Sequence, residues 1–107
     1  MARFKIILTQ LARAEIEAIK VFERKKIIAE IERHLNNDAH IASATRKCLL
    51  KIAPSFAFVP PLWELRVANW RVFYDVDVAG NRVYVRAVRR KQPQQTTEEV
   101  VRENDDG

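Results

Sequence analysis

The chain has 107 residues, 48% of them hydrophobic and 31% charged, with a net charge of +5. That length supports one modest core and excludes a second catalytic domain, and the composition is that of a folded chain rather than a disordered one. No apolar run approaches the roughly 18 residues a spanning helix needs, and the start (MARFKIILTQ) has too short an apolar stretch for a secretory signal, so the cytoplasm is expected and no membrane partner.

Phe4 to Leu8 (FKIIL) is rich in aromatic and β-branched residues and predicts a first strand. Thr9 stands as an N-cap before Leu11, Ala12, Ile16 and Ile19, whose spacing lays an apolar stripe along a first helix. The charged tetrad Glu23-Arg24-Lys25-Lys26 interrupts the stripe, which resumes with Ile27, Ile28, Ile31 and Leu35. Two helices joined near the tetrad and one bent helix both fit. Leu35-Asn36-Asn37-Asp38 stops the helix, because Asn tolerates the left-handed conformation and Asn and Asp compete for local hydrogen bonds. Residues 38–61 read mostly as loop, carrying Arg46, Lys47 and Lys51 and ending in Pro60-Pro61; loops this long are often functional.

Trp63 to Val67, Trp70 to Val78 and Arg82 to Val88 alternate with the period of a strand, and the joints Ala68-Asn69 and Ala79-Gly80-Asn81 predict tight antiparallel hairpins. Beyond Lys91 a Gln-rich connector ends at Thr96 or Thr97, either one a suitable cap for a short acidic helix (EEVVRE), and the closing NDDG should fray. The expected architecture is α+β in a single domain over residues 1–107: an N-terminal strand, a two-helix hairpin, an antiparallel three-strand meander and a short C-terminal helix, with residues 92–107 an acidic tail.

Strand parity divides the meander. Leu65, Val67, Val72, Tyr74, Val76, Val83, Val85 and Ala87 form an apolar set that should face the helices. Glu64, Arg66, Arg71, Phe73, Asp75, Arg82, Tyr84, Arg86 and, past the strand's end, Arg90 form the other. Five arginines there face two acids, so cross-strand pairing cannot satisfy them all. Residues 46–91 carry a net +7, against +2 for residues 1–45 and −4 for residues 92–107. Guanidiniums beside aromatic rings offer phosphate pairing and base stacking. The nucleic-acid-binding candidates are Arg46, Lys47, Lys51, Phe73, Tyr84, Arg86 and Arg89.

No cofactor is implied. His34 and His40 are six apart with no Cys partner, so they make no zinc spacing, and Cys48 stands alone, expected as a buried or idle thiol. Gly80 and Gly107 cannot form a phosphate loop, and Ser43 and Ser55 lack a nucleophile elbow. RNA offers a reaction that needs no metal, attack of its 2′-hydroxyl on the adjacent phosphorus, given a proton acceptor and cations to stabilise the added charge. Arg66, Arg71, Arg89, Arg90 and Lys91 can supply the charge; Glu64, Tyr84 and Lys91 are the candidate acceptors.

WELRVANWRVFYDVDVAGNRVYVRAVRRK resembles the C-terminal half of RelE/ParE-type toxins, in which a strand ending Leu-Arg-Val leads to an aromatic-Arg-Val-x-Tyr strand and then to one closing on a basic cluster. The preceding strand, helical hairpin and Thr45-Arg46-Lys47 loop fit the same family. The resemblance implies a ribosome-dependent mRNA endoribonuclease restrained by a cognate antitoxin. It carries over Arg66, Arg71 and, after the last strand, Arg90 or Lys91 as catalytic residues. Two positions depart from the pattern: no tyrosine follows the basic cluster, and Glu64 stands where such nucleases often have a cation. The ParE branch shares the fold and acts on DNA gyrase instead, so gyrase is the alternative partner, and a non-toxic member that only binds antitoxin is a third class. The acidic tail, with Glu98, Glu99, Glu103, Asp105 and Asp106, either folds over the basic face and competes with RNA or stands solvated, the plainer expectation.

Overall fold

Thr9 ends one element and starts the next, as its residue type predicts. In the computed structural model, which describes residues 3–103, its backbone is extended and its hydroxyl oxygen accepts from the Ala12 N–H at 3.3 Å while donating to the Val85 carbonyl at 2.9 Å. It thereby closes β1 (Lys5–Leu8) and caps α1 (Gln10–Glu17). The chain breaks at residues 18–20 before α2 (Val21–Leu35), so the hairpin is two helices, and the charged tetrad lies inside α2 rather than at the joint. The reason is Ile19, which tucks into the core from the linker and carries the apolar stripe across the break. Ile27, Ile31 and Leu35 continue it at four-residue spacing; Ile28 is exposed.

Residues 38–61 hold a strand that the sequence reading placed in loop. β2 (Arg46–Leu49) pairs antiparallel with β3 (Leu62–Val67). Four residues with two cations and no β-branched side chain carry no strand signal of their own, so β2 exists through its partner. The expected meander of β3, β4 (Trp70–Asp77) and β5 (Arg82–Arg90) is present, and β1 and β2 extend it to a five-stranded sheet in the order β1-β5-β4-β3-β2, with β1 parallel to β5. α3 (Thr97–Val101) follows, with Thr96 as its cap in a capping box with Glu99. The closing residues, Asp105 and Asp106 among them, lie outside the described residues.

The parity reading fails at one place for a local reason. Phe73 pairs with Ala87 and Tyr74 with Val85, which leaves Arg86 as an extra residue on β5. Beyond this bulge the faces exchange: Ala87 joins Phe73, and Val88 joins Val72 in the core beneath α1 and α2. That core also holds Tyr74, whose hydroxyl donates to the Ala39 carbonyl at 2.8 Å and whose pKa burial drives well up. A second core occupies the opposite face, where α3 presses Val100 and Val101 against Leu49, Leu62, Phe73 and Ala87. Phe73 is therefore 0% exposed rather than standing among the charges.

Ala68, in the β3–β4 turn, has φ of 52°, in the left-handed region. Glycine there removes about 1–2 kcal/mol of strain and costs about 0.4–1 kcal/mol through a freer unfolded chain. Ala68→Gly should therefore raise stability by about 0.5–1 kcal/mol, read as a higher urea midpoint; an unchanged or lower midpoint contradicts the strain. Among the described residues no helix is long and apolar enough to cross a membrane.

Candidate nucleic-acid cleft

Pairing of β2, β3 and β4 sets Lys47 beside Glu64 and Arg66 beside Arg71, all on the face opposite α1 and α2. At the same end of the sheet Lys91 leaves β5, its N–H donating to the Asn69 carbonyl at 2.7 Å. With Thr97 of α3 and the Ser43–Thr45 turn as further walls, these side chains enclose a cleft of about 290 Å³. Lys47, Arg66, Arg71 and Lys91 face a single carboxylate there.

That carboxylate, Glu64, is 4% exposed. Lys47 Nζ lies 3.5 Å from one oxygen and Arg71 Nε 3.9 Å from the other, to which the Thr97 hydroxyl donates at 3.2 Å. Arg71 is fixed from its far end by bonds to the Ala68 and Trp70 carbonyls at 3.0 and 2.9 Å. Burial holds the Arg71 pKa below the ordinary guanidinium value, Glu64 opposes that shift, and Arg66 adds to it. The group stays cationic, since guanidinium does not deprotonate in proteins. Among the described residues the Arg66 guanidinium donates only to the Ala44 carbonyl, and the Lys91 ammonium has no partner. A buried carboxylate ringed by cations, two of them without an acid partner, can take a proton and hold a phosphate. Among the described residues no cluster of His, Cys, Asp and Glu could hold a metal ion.

The cleft thus brings Arg66, Arg71 and Lys91 together, joined by Lys47. The others do not join them. Arg46 lines the cleft but turns its guanidinium to the helix side, donating to the Ile41 carbonyl and to His34 Nδ1, each at 2.9 Å. Lys51 is exposed outside the cleft. Phe73 has no ring face left for a base. Arg86 pairs with Asp75 at 2.6 Å and sits 5.0 Å from the Tyr84 ring centre, so Tyr84 and Arg86 stand together toward the other end of the sheet. Arg89 is 5% exposed, paired with Glu15 at 3.0 Å and donating to the Val100, Val101 and Glu103 carbonyls. Arg90 lies on the opposite face from the cleft, beside Trp70. Thr97 was missed, and no sequence signal could have found it, because its contact needs α3 folded back on the sheet. Cys48 is free and half-buried.

The solvated placement of the tail is corrected: α3 packs on the basic face as part of the second core. Its acids nonetheless stay local. Glu98 pairs with Arg102 at 2.8 Å, Glu99 closes the capping box, and Glu103 accepts from the Gln95 amide at 3.0 Å. Among the described residues, only the uncharged Thr97 of α3 reaches Glu64.

A helical hairpin on one face of this mixed sheet and a short helix on the other make a RelE-like fold. The crystal structure of the toxin–antitoxin complex RelBE2 from Mycobacterium tuberculosis contains a chain of this fold, matching with a TM-score of 0.61 at 14% identity over 83% of this chain and 99% of that one. Comparison with curated proteins gives no match. The model of the ParE toxin of type II toxin–antitoxin systems matches residues 6–94, and the chain belongs to that family, within the RelE/ParE superfamily that the strand pattern resembles.

Proposed function

We propose that this type II toxin is a metal-independent endoribonuclease that cleaves mRNA on the ribosome and so stops translation in the cytoplasm. The observation that carries the reading is Glu64, buried at the centre of four cations. In the proposed step the Glu64 carboxylate takes the 2′-hydroxyl proton, the O2′–P bond forms and the P–O5′ bond breaks. Arg66, Arg71 and Lys47 stabilise the added negative charge on the phosphorane oxygens, and the Lys91 ammonium returns a proton to the leaving 5′-oxygen. Products are a 2′,3′-cyclic phosphate and a 5′-hydroxyl. A cognate antitoxin holds the toxin inactive, a partner supported by the RelBE2 complex whose fold the chain shares.

Inhibition of DNA gyrase is the second reading, favoured by the match to the ParE family model and by Glu64 standing where a cation is expected. Expression in bacteria with translation and supercoiling followed separately decides between them. Rapid loss of translation with cleaved mRNA is the expected result. Lost supercoiling with intact mRNA would favour gyrase, and unimpaired growth the class that only binds antitoxin.

A further inference from the structure

Each of two cleft cations has its chain neighbour on the other face of the sheet. Arg71 and Lys91 point into the cleft; Trp70 and Arg90, one residue earlier on β4 and β5, line a second pocket of about 420 Å³ at the same end. Its wall is apolar, built from Ile19, Val88 and the half-buried indole of Trp70. Its rim carries the exposed Arg90 guanidinium and the Gln92 side-chain amide, neither with a partner among the described residues. Two acids also line it, but Glu15 is engaged by Arg89 and Glu103 accepts from Gln95.

We propose that this pocket is a second subsite for single-stranded RNA, taking a nucleobase next to the scissile phosphate; the proposal rests on the RNA reading of the cleft. Side chains adjacent along a strand lie on opposite faces, so the two sites are separated only by the thickness of the sheet at its end. A flexible strand leaving the cleft rounds the Ala68-Asn69 turn to reach Trp70. The indole stacks on the base, the Gln92 amide meets its polar edge, and Arg90 pairs with the phosphate that follows. A single strand suits this path, because its bases are free to splay, whereas a duplex would have to open.

Trp63→Phe leaves Trp70 as the one indole of the chain. In that background a short RNA oligonucleotide carrying 2′-O-methyl groups, which cannot be cleaved, should quench Trp70 emission saturably. Arg90→Glu should weaken the binding, followed by anisotropy, about tenfold; Arg90 is exposed, so this substitution spares the fold. If Arg71→Ala weakens oligonucleotide binding while Trp70 emission never responds and Arg90→Glu has no effect, the subsite is wrong and the cleft stands. If the unsubstituted chain does not bind the oligonucleotide yet cleaves mRNA on ribosomes, the subsite is wrong and the cleft stands; if it does neither, the RNA reading itself fails.

Discussion

Arg71→Ala is expected to lower RNA cleavage by about 10²–10³-fold, the usual loss when one donor to a developing oxyanion is removed. The guanidinium is held from both sides, by the Glu64 carboxylate and by two carbonyls of the β3–β4 turn, so in the proposed step its position costs no reorganisation. Losing those hydrogen bonds costs about 1–3 kcal/mol, against a total stability of about 5–15 kcal/mol. Activity should therefore vanish from a protein that still folds. Arg71→Lys keeps the charge and loses the planar fork, so its activity should fall between the two. Glu64→Gln preserves the shape of the cleft and removes the proposed proton acceptor, and should cost about 10²–10⁴-fold. The measurement is cleavage of a reporter mRNA on ribosomes, with thermal unfolding as the control for the fold. An Arg71→Ala chain that cleaves at the original rate would remove this residue from the mechanism.

Arg89→Ala should have the largest effect on stability, about 3–5 kcal/mol, because it breaks a buried ion pair from one side. The same guanidinium faces Glu15 of α1, packs against the Phe56 ring at 5.1 Å and closes three carbonyls at the end of α3. One side chain thus ties the helical face of the protein to the C-terminal helix on the other. Arg89→Met, which keeps the stem and drops the charge, should lose nearly as much if the polar contacts carry the effect. A urea midpoint shift corresponding to under about 1 kcal/mol would show that α3 docks without help from the Arg89 guanidinium. Those two valines, fully buried, also decide what deleting residues 96–107 would do. Each contributes about 1.5–3 kcal/mol, so the deletion exposes the second core and tests folding rather than competition between an acidic tail and RNA.

The features legible in the sequence were those set within a few residues. Thr9 and Thr96 cap helices because a side-chain oxygen reaches an N–H two or three residues on, whatever the rest of the chain does. Alternation on β3 and β4 put Arg66 and Arg71 on one face and Leu65, Val67 and Val72 on the other. What failed was reading that alternation through β5, where a single extra residue at Arg86 reverses the faces. Arg89 then becomes the buried strut between α1 and α3, and Arg90 passes to the helix side.

By itself, then, the sequence determined the order and type of the main elements, the caps, and the cation-rich meander that marks a RelE/ParE-type chain, because these depend on local geometry and on a period of two. Tertiary structure alone decided which cations meet. β2 is a strand only because β3 pairs with it, and that pairing delivers Lys47 to Glu64. The return of α3 buries Phe73, brings Thr97 to the same carboxylate and leaves Arg66, Arg71 and Lys91 open around it. Contacts so far apart along the chain are set by strand pairing and by packing two faces of a sheet at once, which the local pattern around either partner does not record.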